Sequence, residues 1–379
     1  MKDKIWAWII GTGFVLFAIH NPLQPWKEYA FLPIVGLLFS LLGMYVVLFD
    51  HRKEITLGNK KVWIPLAIIS ASIAGSGFAN PLGEGIGALL APMLFGIYLF
   101  GAYLTGQVLG KELFRPFAWA VVIGTIGCLV YGIVLPGIKT GGWISPTNYD
   151  IATGLLVFGT VVSIWQKQWI LTAIALVGLF FTGAPEAIFA CGVLLIAVLV
   201  RRDWSKKMLA PIGALIIVLV ICTPLGITQS LCMYPVSMIA QAKEAATMEV
   251  ITEEDARVRD ELINEATGYR WLTHWRIPPI RPLGYGYSIT DFSPPIPHNL
   301  PLVIVHQVGL IAGIAWLWVT LFCLVRTKWK YAFVGILALS VFDHFIWTQV
   351  APWWWVLVGV ATASSIKNDY IFKEPQCIG

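Results

Sequence analysis

Charge is scarce in this chain. Only 12% of its residues are Asp, Glu, Lys or Arg, about half the share of a soluble globular domain, which excludes a water-soluble fold. Cysteine is scarce too, with 6 in 379 residues and no CxxC spacing, so neither a disulfide framework nor a thiolate metal site is built in. Cys128, Cys191, Cys222 and Cys323 fall inside apolar stretches, whereas Cys232 and Cys377 lie outside them. Clustered aspartates are also missing, and nothing in the sequence calls for a metal or another cofactor. The net charge of +5 follows from topology and does not indicate a nucleic-acid partner.

What the chain has in excess is apolar residues: 58% are hydrophobic and the mean hydropathy is +0.75. Stretches near the roughly 20 residues needed to cross a bilayer recur from end to end. They fall near 5–19, 29–48, 62–79, 87–104, 118–135, 150–165, 169–181, 187–200, 208–225, 299–325, 331–347 and 353–366. The expected fold is all-α: one integral membrane domain over 1–379, a polytopic transmembrane helix bundle of about twelve spans. The stretch 5–19 lacks a small-residue cleavage site and reads as a retained first span.

Basic residues set the expected orientation. Arg52, Lys53, Lys60, Lys61, Lys111, Arg115, Lys167, Arg201, Arg202, Lys206, Lys207, Arg326, Lys328 and Lys330 fall in connections on one face if the N-terminus is inside. By the positive-inside rule that face is cytoplasmic, and so are both termini. Residues 226–297, between the ninth and tenth spans, then form one long extracytoplasmic loop. Loops of this length are functional or disordered. Thr252 followed by Glu253, Glu254 and Asp255 resembles a capping box, Val258, Leu262 and Ala266 make an apolar stripe, and Gly268 suits a helix stop. The loop is therefore expected to be partly helical.

Beyond that helix, residues 269–287 interleave Arg270, Arg276 and Arg281 with aromatics and prolines. Guanidinium forks match phosphate oxygens, and the alternative is that Arg276 and the tryptophans sit at the membrane interface. Gly284 and Gly286 permit tight backbone geometry. The loop runs into the tenth span at His298-Asn299. An imidazole has an unperturbed pKa of about 6.5 and suits proton transfer. His274 competes for that role. His306 lies eight positions after His298, about 12 Å deeper on a helix, and reads as a satisfied intramembrane hydrogen bonder. Asp343, beside His344 in the eleventh span, is either a helix–helix tie or a lining residue of a cavity. The run Pro352-Trp353-Trp354-Trp355 reads as an interfacial anchor.

Several of these segments, in order, resemble the O-antigen ligase and polymerase superfamily of membrane glycosyltransferases, most strongly over 145–313. They are Ser145-Pro146-Thr147-Asn148 leading into the sixth span, the loop Arg270, the turn Pro282-Leu283-Gly284-Tyr285-Gly286, and His298-Asn299 with Gly309 after it. Two positions depart from the pattern: the Ser-Arg expected near Thr182–Ala187 is absent, and Gln307 stands where an acidic residue is usual.

The resemblance implies a metal-independent polysaccharide polymerase or ligase of the cell envelope, facing outward from the cytoplasmic membrane. Its donor is a polyprenyl-pyrophosphate-linked glycan, its acceptor a hydroxyl on glycan, lipid or protein, and its other partners are membrane lipids. His298 is the implied catalytic base, and Arg270, Arg281 and Arg276 the implied pyrophosphate ligands. Asn299, Gly284, Gly286, Asn148, His274 and Asp343 are in support. The rival reading is a polytopic transporter or lipid-linked glycan flippase. Such proteins bind at the midplane on broken helices, often with internal repeats; no repeat is evident here, and the polar features gather at one face.

Overall fold

The computed structural model describes residues 2–18, 31–53, 55, 57–79, 86–134, 149–182, 192, 252–255, 280–282, 284–286, 299–327, 329–340, 347 and 350–371. Among the described residues every regular element is helical. They are α1 (Lys2–Ala18), α2 (Phe31–Asp50), α3 (Lys60–Ala79), α4 (Ile86–Leu109), a 3-10 turn (Gly110–Leu113), α5 (Phe114–Val134), α6 (Tyr149–Trp165), α7 (Trp169–Thr182), α8 (Leu300–Val308), α9 (Leu310–Arg326), α10 (Lys330–Ser340) and α11 (Ala351–Ile371).

Among the described residues, three segments are long and apolar enough to cross a membrane: Leu32–Asp50, Lys60–Phe78 and Leu90–Val134. The last has 45 residues and would run about 68 Å as one straight helix, far beyond a hydrocarbon core of about 30 Å. The 3-10 turn divides it. α4 packs on α3 and α11, whereas α5 packs on α7, α1 and α6. The expected spans at 187–200 and 208–225 lie outside the described residues, apart from Gly192.

The helices are apolar on both faces. On α2, Ile34, Leu38, Leu42, Tyr45 and Phe49 form one exposed stripe, and on α9 Ile311, Ile314, Trp318, Leu321 and Val325 form another. A soluble protein rarely leaves apolar patches of this extent in water, so the stripes fit helices bathed in lipid. Where lipid is as apolar as the core, helices associate by close approach of small residues. A Cβ on Gly13 would stand 2.7 Å from the Ser40 amide of α2, and one on Gly36 would collide with the backbone of α1. Gly106 and Gly359 seat α4 on α11 in the same way, the first with its missing Cβ aimed at the Val356 carbonyl.

Trp353, Trp354 and Trp355 overturn their expected role as interfacial anchors: none is more than 1% exposed. Trp353 packs among Phe14, Phe117 and Phe114, with ring centroids 5.5, 4.6 and 6.0 Å away, joining α11 to α1 and α5. Trp354 stacks on Trp316 of α9 at 6.0 Å. The sequence pattern is the same in both cases. Here the three indoles fill a junction between helices, where their area buries most.

A second expectation is also corrected. The stretch 299–325 is not one continuous helix, because the chain breaks at Gly309, where φ is +96° and ψ is +164°. α8 ends there and α9 starts anew, and the two pack together and against α3.

Candidate functional site

The break leaves the last carbonyls of α8 without intrahelical partners, and the end of the long loop supplies them. Tyr285 N–H donates to the His306 carbonyl at 2.8 Å, and Gly286 N–H donates to the Gln307 carbonyl at 3.0 Å. In turn, Gly284 N–H donates to the Arg281 carbonyl at 3.2 Å, closing a turn with Pro282 in its second position, where a fixed φ suits it. Non-helical backbone is tolerated at membrane depth only where protein or water satisfies its polar groups. This docked turn satisfies those of α8.

Glycine is required on both sides of the contact. Gly284 has φ +69° and Gly309 φ +96°, a region costly for other residues. There is also no room: a Cβ on Gly284 would strike the Gln307 carbonyl, and one on Gly309 the Pro282 carbonyl. Gly286, at φ +110°, completes the turn.

The side chains of this corner pack on one another. The Tyr285 and His306 rings lie nearly parallel, 19° apart in plane with centroids at 4.6 Å. The Arg281 guanidinium carbon lies 4.2 Å from the same Tyr285 centroid. Tyr285 is thus in contact with both the His306 ring and the Arg281 guanidinium. Arg281 is exposed and has no carboxylate partner among the described residues. His306 is only 5% exposed, and its Nδ1 has no hydrogen-bond partner among the described residues. The expected satisfied hydrogen bonder is thus held by stacking and by its backbone.

Asn299 has a defined local job. It is the N-cap of α8, with φ −92° and ψ +121°, and its side chain accepts from Leu302 N–H at 3.4 Å. Asparagine is favoured at that position because its side-chain oxygen meets an orphan N–H. Capping therefore falls to Asn299, and His298 is the residue that precedes the cap. Gln307 accepts a 2.8 Å hydrogen bond from the buried Trp347 indole N–H, tying α8 to the chain that leads into α11. A carboxylate in its place would offer the same acceptor.

Of the expected site residues, Arg281, Gly284 and Gly286 are described and belong to this corner, whereas Asn299 is described at the other end of α8, about 10 Å along the helix from His306. His298, Arg270, Arg276, His274, Asn148 and Asp343 lie outside the described residues. Further up the loop, the expected capping box forms at its start: Asp255 N–H donates to Thr252 Oγ1 at 3.1 Å, and Thr252 N–H to Asp255 Oδ2 at 2.9 Å. Two residues of the corner escaped the sequence reading. Tyr285 was visible only as the residue between two glycines, and Trp347 only as the end of an apolar stretch. Comparison with protein-family models gave no match, and comparison with curated proteins gave none either.

Proposed function

We propose that the chain is a membrane glycosyltransferase of the O-antigen ligase and polymerase type. In this reading it carries a glycan from a polyprenyl-pyrophosphate donor to an acceptor hydroxyl at the outer face of the cytoplasmic membrane, with both termini inside. The acceptor oxygen attacks the anomeric carbon while His298 takes its proton. The bond from that carbon to the pyrophosphate oxygen breaks, and polyprenyl pyrophosphate leaves with the electron pair. Arg281, with Arg270 and Arg276, meets the charge that develops on the leaving group, the task for which preorganised cations are most effective.

The observation that carries the reading is the docking of the Arg281–Gly286 turn onto α8. It fixes an arginine, with no acid partner among the described residues, against the C-terminal end of the helix that Asn299 caps. A base and a leaving-group cation must act on one donor, and a loop tied by backbone bonds to the base's own helix fixes their separation, about 12 Å along the helix from His298 to the docking point at His306, which the arginine side chain and the pyrophosphate have to span.

The test is purified protein in liposomes with a polyprenyl-pyrophosphate oligosaccharide and acceptor glycan, read as product and released polyprenyl pyrophosphate. His298→Ala is expected to abolish both. Arg281→Ala is expected to slow turnover about a hundredfold, with Arg281→Lys restoring only part because it lacks the fork. Full activity in His298→Ala sinks the assignment of the base.

The helix break at Gly309, beside a buried imidazole, favours a second reading. Broken helices with polar groups at the break are the usual sites of transporters, and a lipid-glycan flippase would use one. Glycan lipid that crosses the vesicle membrane with no product formed decides for that reading.

A further inference from the structure

An arginine on a loop is usually a mobile charge, and holding it still takes two anchors. Arg281 has both. Its backbone is fixed by the Gly284 N–H on its carbonyl, and its head lies on the Tyr285 ring. Tyr285 is itself held twice by one residue, through its N–H on the His306 carbonyl at 2.8 Å and its ring on the His306 ring at 4.6 Å. His306 lies in α8 with its side chain buried. The order of support thus runs from helix to imidazole to phenol to guanidinium.

We propose that Tyr285 and His306 are positioning residues that hold the Arg281 guanidinium as a preformed receptor for the pyrophosphate of the donor. This rests on the glycosyltransferase reading for the identity of the anion. Contact with the ring holds the guanidinium while Arg281 stays exposed, so its N–H donors are open to a bidentate bond to phosphate. A side chain already immobilised loses less freedom on binding, so affinity rises without a further contact. The ring of His306 does this work by its shape. An aromatic carbocycle there serves as well, whereas a proton-transfer role requires nitrogen.

The experiment measures inorganic pyrophosphate binding to the purified full-length chain in detergent. Tyr285→Leu is expected to weaken it about tenfold, the upper range of a lost cation–π contact, while Tyr285→Phe and His306→Phe stay within about twofold and His306→Leu follows Tyr285→Leu. In an Arg281→Ala background Tyr285→Leu should cost nothing further, because it acts only through the arginine. A full additional loss in that background, or unchanged binding in Tyr285→Leu, overturns the proposal.

Phenylglyoxal modification of Arg281, read by peptide mass spectrometry, needs no ligand and keeps the two readings apart. Its rate should rise severalfold in Tyr285→Leu and stay unchanged in Tyr285→Phe, whether or not pyrophosphate binds. If the rate rises as expected but the wild-type chain binds no pyrophosphate, the stack stands and the identity of the anion fails. If the rate is the same in both variants, the guanidinium is not held by the ring and the positioning inference fails.

Discussion

The α1–α7 region and the corner at Gly309 use the same residue type for opposite ends. Among α1 to α4, glycines sit inside regular helices and let backbones touch: Gly13 meets Gly36, and Gly96 meets the Ser70 carbonyl. Ser40 finds a partner there in the Tyr98 hydroxyl at 2.9 Å and Ser70 in the Gly96 carbonyl at 2.7 Å, whereas Gln107 Oε1 and Thr153 Oγ1 are buried with no hydrogen-bond partner among the described residues. At the corner, glycines end a helix and admit a loop. There the buried His306 Nδ1 has no hydrogen-bond partner among the described residues, and Arg281 is exposed beside it. An ionisable side chain inside a membrane segment, held at a helix break, is where chemistry is expected.

Breaking the comparison at its strongest point means adding one methyl group. Gly309→Ala meets both the cost of a positive φ, about 1–3 kcal/mol, and a collision with the Pro282 carbonyl. Gly110→Ala is the control, since Gly110 also has positive φ, at +60°, but nothing within 4 Å of a Cβ. Thermal unfolding in detergent should show Gly309→Ala as the larger loss by several kcal/mol. In Gly309→Ala, phenylglyoxal modification of Arg281 should accelerate as the turn is displaced. Equal losses in the two variants would mean that the docked turn contributes nothing to the break.

The bundle was legible in the sequence because lipid-facing helices are long and apolar, and α1 to α7 fall close to where hydropathy puts them. Period and length carry that information locally. Glycine chemistry was half legible: Gly284 and Gly286 read as permissive positions, but nothing along 299–325 distinguishes a glycine that breaks a helix from one that packs inside it. The difference is the Pro282 carbonyl, which lies 27 residues upstream in the chain. The tryptophan run misled for the same reason. An indole suits both an interface and a packed core, and only Phe14, Phe114 and Phe117 around Trp353 decide between them. His306 was placed correctly on the helix, yet its stacking on Tyr285 depends on a turn whose docking no periodicity announces.

A smaller effect sharpens the comparison within the corner. Gln307→Leu removes the acceptor of the buried Trp347 N–H, and an indole N–H stranded away from water costs about 1–3 kcal/mol. Gln307→Glu keeps an acceptor there and should retain more stability than Leu. Because an acidic residue is usual at this position in the superfamily the chain resembles, turnover should persist in Gln307→Glu. A Leu variant as stable as wild type would show that Trp347 has found another partner, and the tie between α8 and the approach to α11 would lose its meaning.

The smallest effect is expected where the bundle is most complete. Ser163 and Thr172 share a buried 2.9 Å hydrogen bond between α6 and α7, and each hydroxyl also bonds a carbonyl of its own segment, Ser163 to Thr160 at 2.9 Å and Thr172 to Gln168 at 3.2 Å. In Ser163→Ala the Thr172 hydroxyl keeps its local acceptor, so no donor is orphaned. The cost should be about 0.6 kcal/mol, the mean for interhelical hydrogen bonds in membrane proteins, against the larger penalty at Gln307, whose side chain is the acceptor of a buried indole N–H. Transfer activity should be unchanged, because the pair lies in a region that only supports the corner. Thermal unfolding of the two variants side by side checks the ranking. A loss in Ser163→Ala as large as that in Gln307→Leu would erase the ranking, since it would mean that the paired hydroxyls depend on each other alone.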